Sequence, residues 1–190
     1  MPQLVLEPTS TAQWQALVSE AAASCECELD ENIESYLVFL LMRFTARPDL
    51  ANRILAVEYL QSVTASGTLQ IEKLRDVGDQ CLLYSGLYPG QAGRRLVRVS
   101  YFVGLGRAAY GQLADRLRHA TADMYAGLAE AFVAMMDVLQ TMRAPGTGSP
   151  TTLLDALELW EDTRSQRALR ILQAATRAQP LWRSDTDRSH

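Results

Sequence analysis

Apolar residues recur at helical spacing along most of this chain, and no stretch alternates apolar and polar residues as a half-buried strand must. That one feature confines the chain to helix-on-helix packing. A first helix is expected after Pro8, with Ser10 and Gln13 at capping-box spacing and a stripe of Trp14, Leu17, Val18 and Ala21. A second starts near Asp30 and carries Ile33, Tyr36, Leu37, Leu40, Leu41 and Phe44 until Arg47-Pro48 ends it. Its apolar run covers other faces too, so this helix is predicted to be central and surrounded. A third runs from about Asp49 to Gly67. A fourth begins near Leu69, turns Leu74, Val77, Cys81 and Leu82 inward, and breaks at Gly86-Leu87-Tyr88-Pro89-Gly90. Residues 91–99 read equally as a short extended piece or a helix entry.

A fifth helix is expected from Ser100 to about His119, and a sixth, capped by Thr121, carries Met124, Leu128, Ala131, Met135, Val138, Leu139 and Met142 on one stripe. After a loop at 144–150, a helical region starts near Thr151 with Leu153, Leu154, Leu157 and Trp160. The polar stretch Glu161–Gln166 divides it from a final helix through Ala168, Leu169, Leu172 and Ala175. With 190 residues and no 20- to 50-residue repeat, the expected fold is all-α: a single compact bundle of seven or eight helices over residues 1–178, followed by a flexible polar tail at 179–190. The longest unbroken apolar run, Tyr36–Met42, is far short of the roughly 20 residues a spanning helix needs, so no membrane segment is expected.

Charge is unevenly spread. Residues 1–42 hold seven acids and no Lys or Arg, whereas residues 91–119 hold Arg94, Arg95, Arg98, Arg107, Arg116 and Arg118 against Asp115 alone. The net charge of −4 argues against nucleic acid as a partner, and no basic recognition helix follows a short glycine turn. Cys25, Cys27 and Cys81 cannot all pair, and the Met1 end shows no basic-then-apolar signal segment, so a cytoplasmic location with free thiols is expected. Cys81 shares a face with Val77 and reads as a small buried hydrophobe.

Signatures of catalysis are missing. No Glu precedes either histidine at the three-residue spacing of a di-iron helix pair, and no phosphate-binding glycine loop exists. The Cys25-Glu26-Cys27 pair lacks a second ligand pair at zinc spacing. His119, among arginines at a predicted helix C-terminus, reads as a solvated cation held by the helix dipole. Gly104, Gly106 and Gly111 read as close helix packing. No catalytic residue, metal or cofactor is therefore assigned.

The densest unusual segment runs from Asp76 to Pro89 and on to Ser100-Tyr101-Phe102-Val103. Gly78 and Asp79 interrupt a good helix, where each lowers helix stability relative to Ala, so a packing or polar role is implied. Asp79, Tyr84, Tyr88 and Tyr101, with Arg94, Arg95 and Arg98, form the candidate binding set. Planar guanidinium groups beside tyrosines suit carboxylates or phosphates. The bland reading makes Asp79 a buried acceptor for backbone or arginine donors at a hinge. The order Gly-Asp, then Leu-x-x-Ser-Gly-Leu-Tyr-Pro, then a Tyr-Phe-Val helix, with a late Leu159-Trp160-Glu161-x-Thr163-x-Ser165, resembles a group of uncharacterised bacterial helical proteins of similar length. This chain departs from their pattern at Gly90, where an acid usually follows the proline. The resemblance implies a bacterial, helical, soluble protein and brings no activity with it.

These observations favour a non-enzymatic cytoplasmic interaction or regulatory protein acting through a helical surface. The alternative is a small-molecule-binding bundle or enzyme with a pocket near Asp79, Tyr84 and Tyr101. A homodimer is expected, because Tyr36–Met42 and Phe132–Met136 are apolar on more than one face. For Arg94, Arg95 and Arg98 the expected counterpart is the acidic segment Glu20–Glu34, within the chain or on a second copy, or else an acidic protein partner or anionic ligand.

Overall fold

The computed structural model describes residues 10–46, 66–89, 98–143 and 152–176. They form α1 (Ser10–Ser24), α2 (Glu31–Ala46), α3 (Gly67–Leu87), α4 (Val99–Arg116), α5 (His119–Glu130), α6 (Phe132–Met142), α7 (Leu153–Thr163) and α8 (Gln166–Thr176). The all-α expectation holds, with no strand among the described residues. The expected third helix, the loop at 144–150, Arg94, Arg95 and the tail at 179–190 lie outside them.

The helix at the centre is α3, not α2. Every residue from Val77 to Gly86 is buried, so α3 is enclosed on all sides, between α4 and α6. Its polar members Asp79, Gln80 and Ser85 hide that burial from an apolar periodicity, whereas α2, for all its apolar run, leaves Phe39 62% exposed. Around α3, α4 also packs on α5 and α7, α1 bridges α2 and α6, and α8 closes against α7 and α6. One continuous core results, in which Leu37, Leu74, Leu82, Tyr110, Phe132, Met135 and Leu139 are completely or almost completely buried.

Three glycines set the closeness of the central helices, Gly86 among them, where a Cβ would lie 2.5 Å from Leu139. A Cβ on Gly78 would lie 2.4 Å from the Tyr110 ring, and one on Gly106 would lie 2.4 Å from the Phe132 ring. Gly104 and Gly111 have open space instead and play no packing role.

Two local expectations are corrected. The single helix from Thr121 to Met142 is two, α5 and α6, meeting at Ala131 (φ −79°, ψ 4°), although backbone bonds run straight through the joint, from Ala131 to Gly127 and from Met135 to Ala131. His119 does not end a helix but opens α5, with φ 56°, so the α5 dipole opposes rather than supports a cation there. On α7 Leu153, Leu154 and Leu157 are exposed and Ala156 is the buried residue. The division of the last helical region does fall within Glu161–Gln166: Arg164 takes the left-handed conformation (φ 61°) and Ser165 begins α8. A capping box of Thr152 and Asp155 fixes the start of α7.

Candidate functional site

The sequence singled out Asp79, and the structure gives it a different company from the one expected. Asp79 lies in the middle of α3, 2% exposed. Its Oδ1 accepts from the Tyr36 hydroxyl of α2 at 2.6 Å and from the Tyr110 hydroxyl of α4 at 2.7 Å, and its Oδ2 accepts from the Arg43 guanidinium of α2. Gly78 makes this possible, because only a residue without a side chain lets the Tyr110 ring lie against α3. Burial pushes the Asp79 carboxyl above the usual carboxylate range, while Arg43 and the two tyrosines pull it back. Burial, with the charge of Asp79, holds Tyr36 and Tyr110 well above the ordinary tyrosine value. The arrangement ties three helices together and leaves Asp79 inaccessible as a base or ligand. The reading of Asp79 as a buried acceptor for an arginine holds, but at mid-helix and with partners on α2 and α4 rather than at a hinge by the Gly86–Pro89 corner.

The tyrosines predicted to share a pocket with Asp79 instead form a separate aromatic group. Tyr84 stacks on Phe102 with centroids 5.6 Å apart, and Tyr88 meets Phe44 and Tyr84 edge-on. Tyr101 touches Phe102 and is 45% exposed. Within the chain, Arg98 sits 4.0 Å from Glu158 and 3.8 Å from Asp162 of α7 rather than against the acidic segment 20–34. Among the described residues, the cation that faces that segment is Arg170, 3.5 Å from Glu26, whose guanidinium also donates to the Cys25 carbonyl.

Sequence reading missed a second buried carboxylate. Asp137 on α6 accepts from the Ser165 hydroxyl at 2.6 Å and from the Arg167 backbone amide at 3.2 Å, capping α8 from another helix. Burial raises its carboxyl, against those hydrogen bonds. Gln140 extends the network, donating to the Ser85 carbonyl at 2.9 Å and accepting from Arg167 at 3.1 Å. An acid within the apolar run Met135–Leu139 was the available signal, since an uncompensated charge there would be costly. The cysteines are free, Cys25 and Cys81 buried and Cys27 partly so. Burial pushes the Cys27 thiol up to about 12 and raises Cys81 further, which removes both as nucleophiles at neutral pH. Among the described residues no group of His, Cys, Asp or Glu is placed to hold a metal, and no helix is long and apolar enough to cross a membrane.

What the molecule offers at its surface is a groove of about 1,100 Å³ between α2 and α5. Ile33, Tyr36, Phe39 and Met124 supply its apolar part, and Asp30, Asp123 and Glu130 its charge; among the described residues neither Lys nor Arg lines it. The two helices meet where Gly127 faces Ile33 and where the Tyr36 and Tyr125 rings pack edge-on at 6.3 Å. Set against family models, curated proteins and solved structures, the chain matches none of them. The site must therefore be argued from its own geometry.

Proposed function

We propose that this is a non-enzymatic interaction protein whose helical surface binds another polypeptide, in the cytoplasm of a bacterium. One observation carries the reading. The residues with chemical potential, Asp79, Asp137 and the buried thiols, are locked in structural roles, while the α2–α5 groove exposes the large apolar ring of Phe39 beside acids. What supports a use for Phe39 is its place in a groove beside Ile33, Tyr36 and Met124, a concave apolar surface rather than a lone exposed ring. Three free thiols support a reducing compartment. Of the two apolar stretches that argued for a homodimer, Phe132–Met136 is satisfied at home, with Phe132, Met135 and Met136 fully buried, and Tyr36–Met42 leaves Phe39 exposed in the groove.

Native mass spectrometry of the protein purified gently from its own host tests this. The expected spectrum holds a complex with a second polypeptide. The chain alone, or the chain with a retained small molecule, would overturn the reading in favour of an inert or ligand-binding bundle.

A further inference from the structure

The α2–α5 groove differs from a small-molecule pocket in size and in charge. A helix about 10 Å across with a 1.5 Å rise occupies roughly 120 Å³ per residue, so the groove's 1,100 Å³ corresponds to two or three helical turns. Its walls are themselves helices, the geometry in which an amphipathic third helix seats its apolar face. Phe39 is the exposed apolar anchor, with Met124 opposite on α5.

The charges point to the sign of the occupant. Asp30 has a local task, since its carboxylate accepts from the Asn32 amide at the start of α2. Asp123 and Glu130 have none: neither forms an ion pair or side-chain hydrogen bond among the described residues. Glu130 closes α5, the end at which the macrodipole disfavours an acid. Two carboxylates without a partner among the described residues flank an apolar floor, and no Lys or Arg among the described residues lines the groove. We infer that the groove receives a basic amphipathic helix of a partner protein, apolar residues on Phe39 and Met124 and Lys or Arg side chains at Asp123 and Glu130. This rests on the interaction reading above and specifies its surface and its partner's chemistry.

The test is site-specific photo-crosslinking in the host, with a benzoylphenylalanine replacing Phe39 and, in a second strain, Tyr101. Mass spectrometry then identifies the attached segment. The expected product at position 39 is a segment with Lys and Arg in excess of Asp and Glu and apolar residues three and four apart. Adding Asp123→Lys and Glu130→Lys, both exposed and unpaired, should cut its yield about tenfold while circular dichroism and melting stay unchanged. An acidic segment at position 39, this same chain, a yield indifferent to the charge reversal, or no product there overturns the inference. Products from position 101 alone would leave the interaction reading standing and remove only the groove. No product from either position, together with a lone chain in the native spectrum, would remove both.

Discussion

Replacing Arg43 by Met probes the balance at the centre of the bundle. The guanidinium is 36% exposed and its partner Asp79 only 3%, so the substitution strips a buried carboxylate of its one positive neighbour while Tyr36 and Tyr110 keep donating. Breaking a fully buried pair costs about 3–5 kcal/mol, and the exposure of Arg43 lowers this to about 2–4 kcal/mol at neutral pH. The sign of the pH dependence follows from burial. Asp79 already titrates above its unfolded value. Its favourable contribution is therefore complete below the unfolded pKa and is lost as pH rises through the folded one. Without Arg43 the folded value rises further, so the penalty grows with pH, by up to about 1.4 kcal/mol per unit within that window. Urea unfolding followed by circular dichroism at pH 7.5 and 4.5 should give a penalty smaller in acid by at least about 1 kcal/mol. The variant Asp79→Asn supplies the control. An amide oxygen at the Oδ1 position retains both tyrosine bonds and leaves no charge, so Arg43→Met in that background should cost less than about 1 kcal/mol. Equal penalties at the two pH values, or a full penalty in the Asn background, would refute the assignment of Asp79 as a buried anion held by Arg43.

Further consequences are open to measurement. Gly78→Ala places a methyl 2.4 Å from a tyrosine ring anchored by its own hydroxyl, and should destabilise by about 1–3 kcal/mol despite the better helix propensity of Ala; denaturant melts of Gly104→Ala, which meets open space, should show no loss. Ser165→Ala removes a donor from Asp137 and the acceptor for the Ala168 amide, about 2–3 kcal/mol together, read as a drop in Tm of about 5–10 °C by calorimetry. Cys81 should react with a thiol reagent in native buffer far more slowly than after unfolding, and equal rates would place it at the surface. Stability should also fall as pH rises above 9, because unfolded thiols and then tyrosines ionise while Cys81, Tyr36 and Tyr110 are held neutral by burial; each such group contributes about 1.4 kcal/mol per pH unit within its window.

The sequence alone determined the fold class, because a 3.6-residue apolar period admits no other secondary structure and leaves only helix packing. It also placed Leu74, Val77, Cys81 and Leu82 inside and marked Gly78-Asp79 as an interruption needing a reason. Such information is local, carried by neighbours a turn apart. The reason itself was not local. Tyr36 and Arg43 lie 43 and 36 residues from Asp79, and Tyr110 lies 31 beyond it, so no spacing rule links them. The same limit explains α3, whose polar residues concealed its central position, and α7, whose apolar stripe faces outward because neighbours, not periodicity, decide which face is covered. Arg98 was visible as a cation, but its acids on α7 are brought to it by the packing of α4 against α7. The groove belongs wholly to tertiary structure: Phe39 on α2 and Glu130 on α5 line one surface because two helices far apart in sequence pack together, with Gly127 against Ile33.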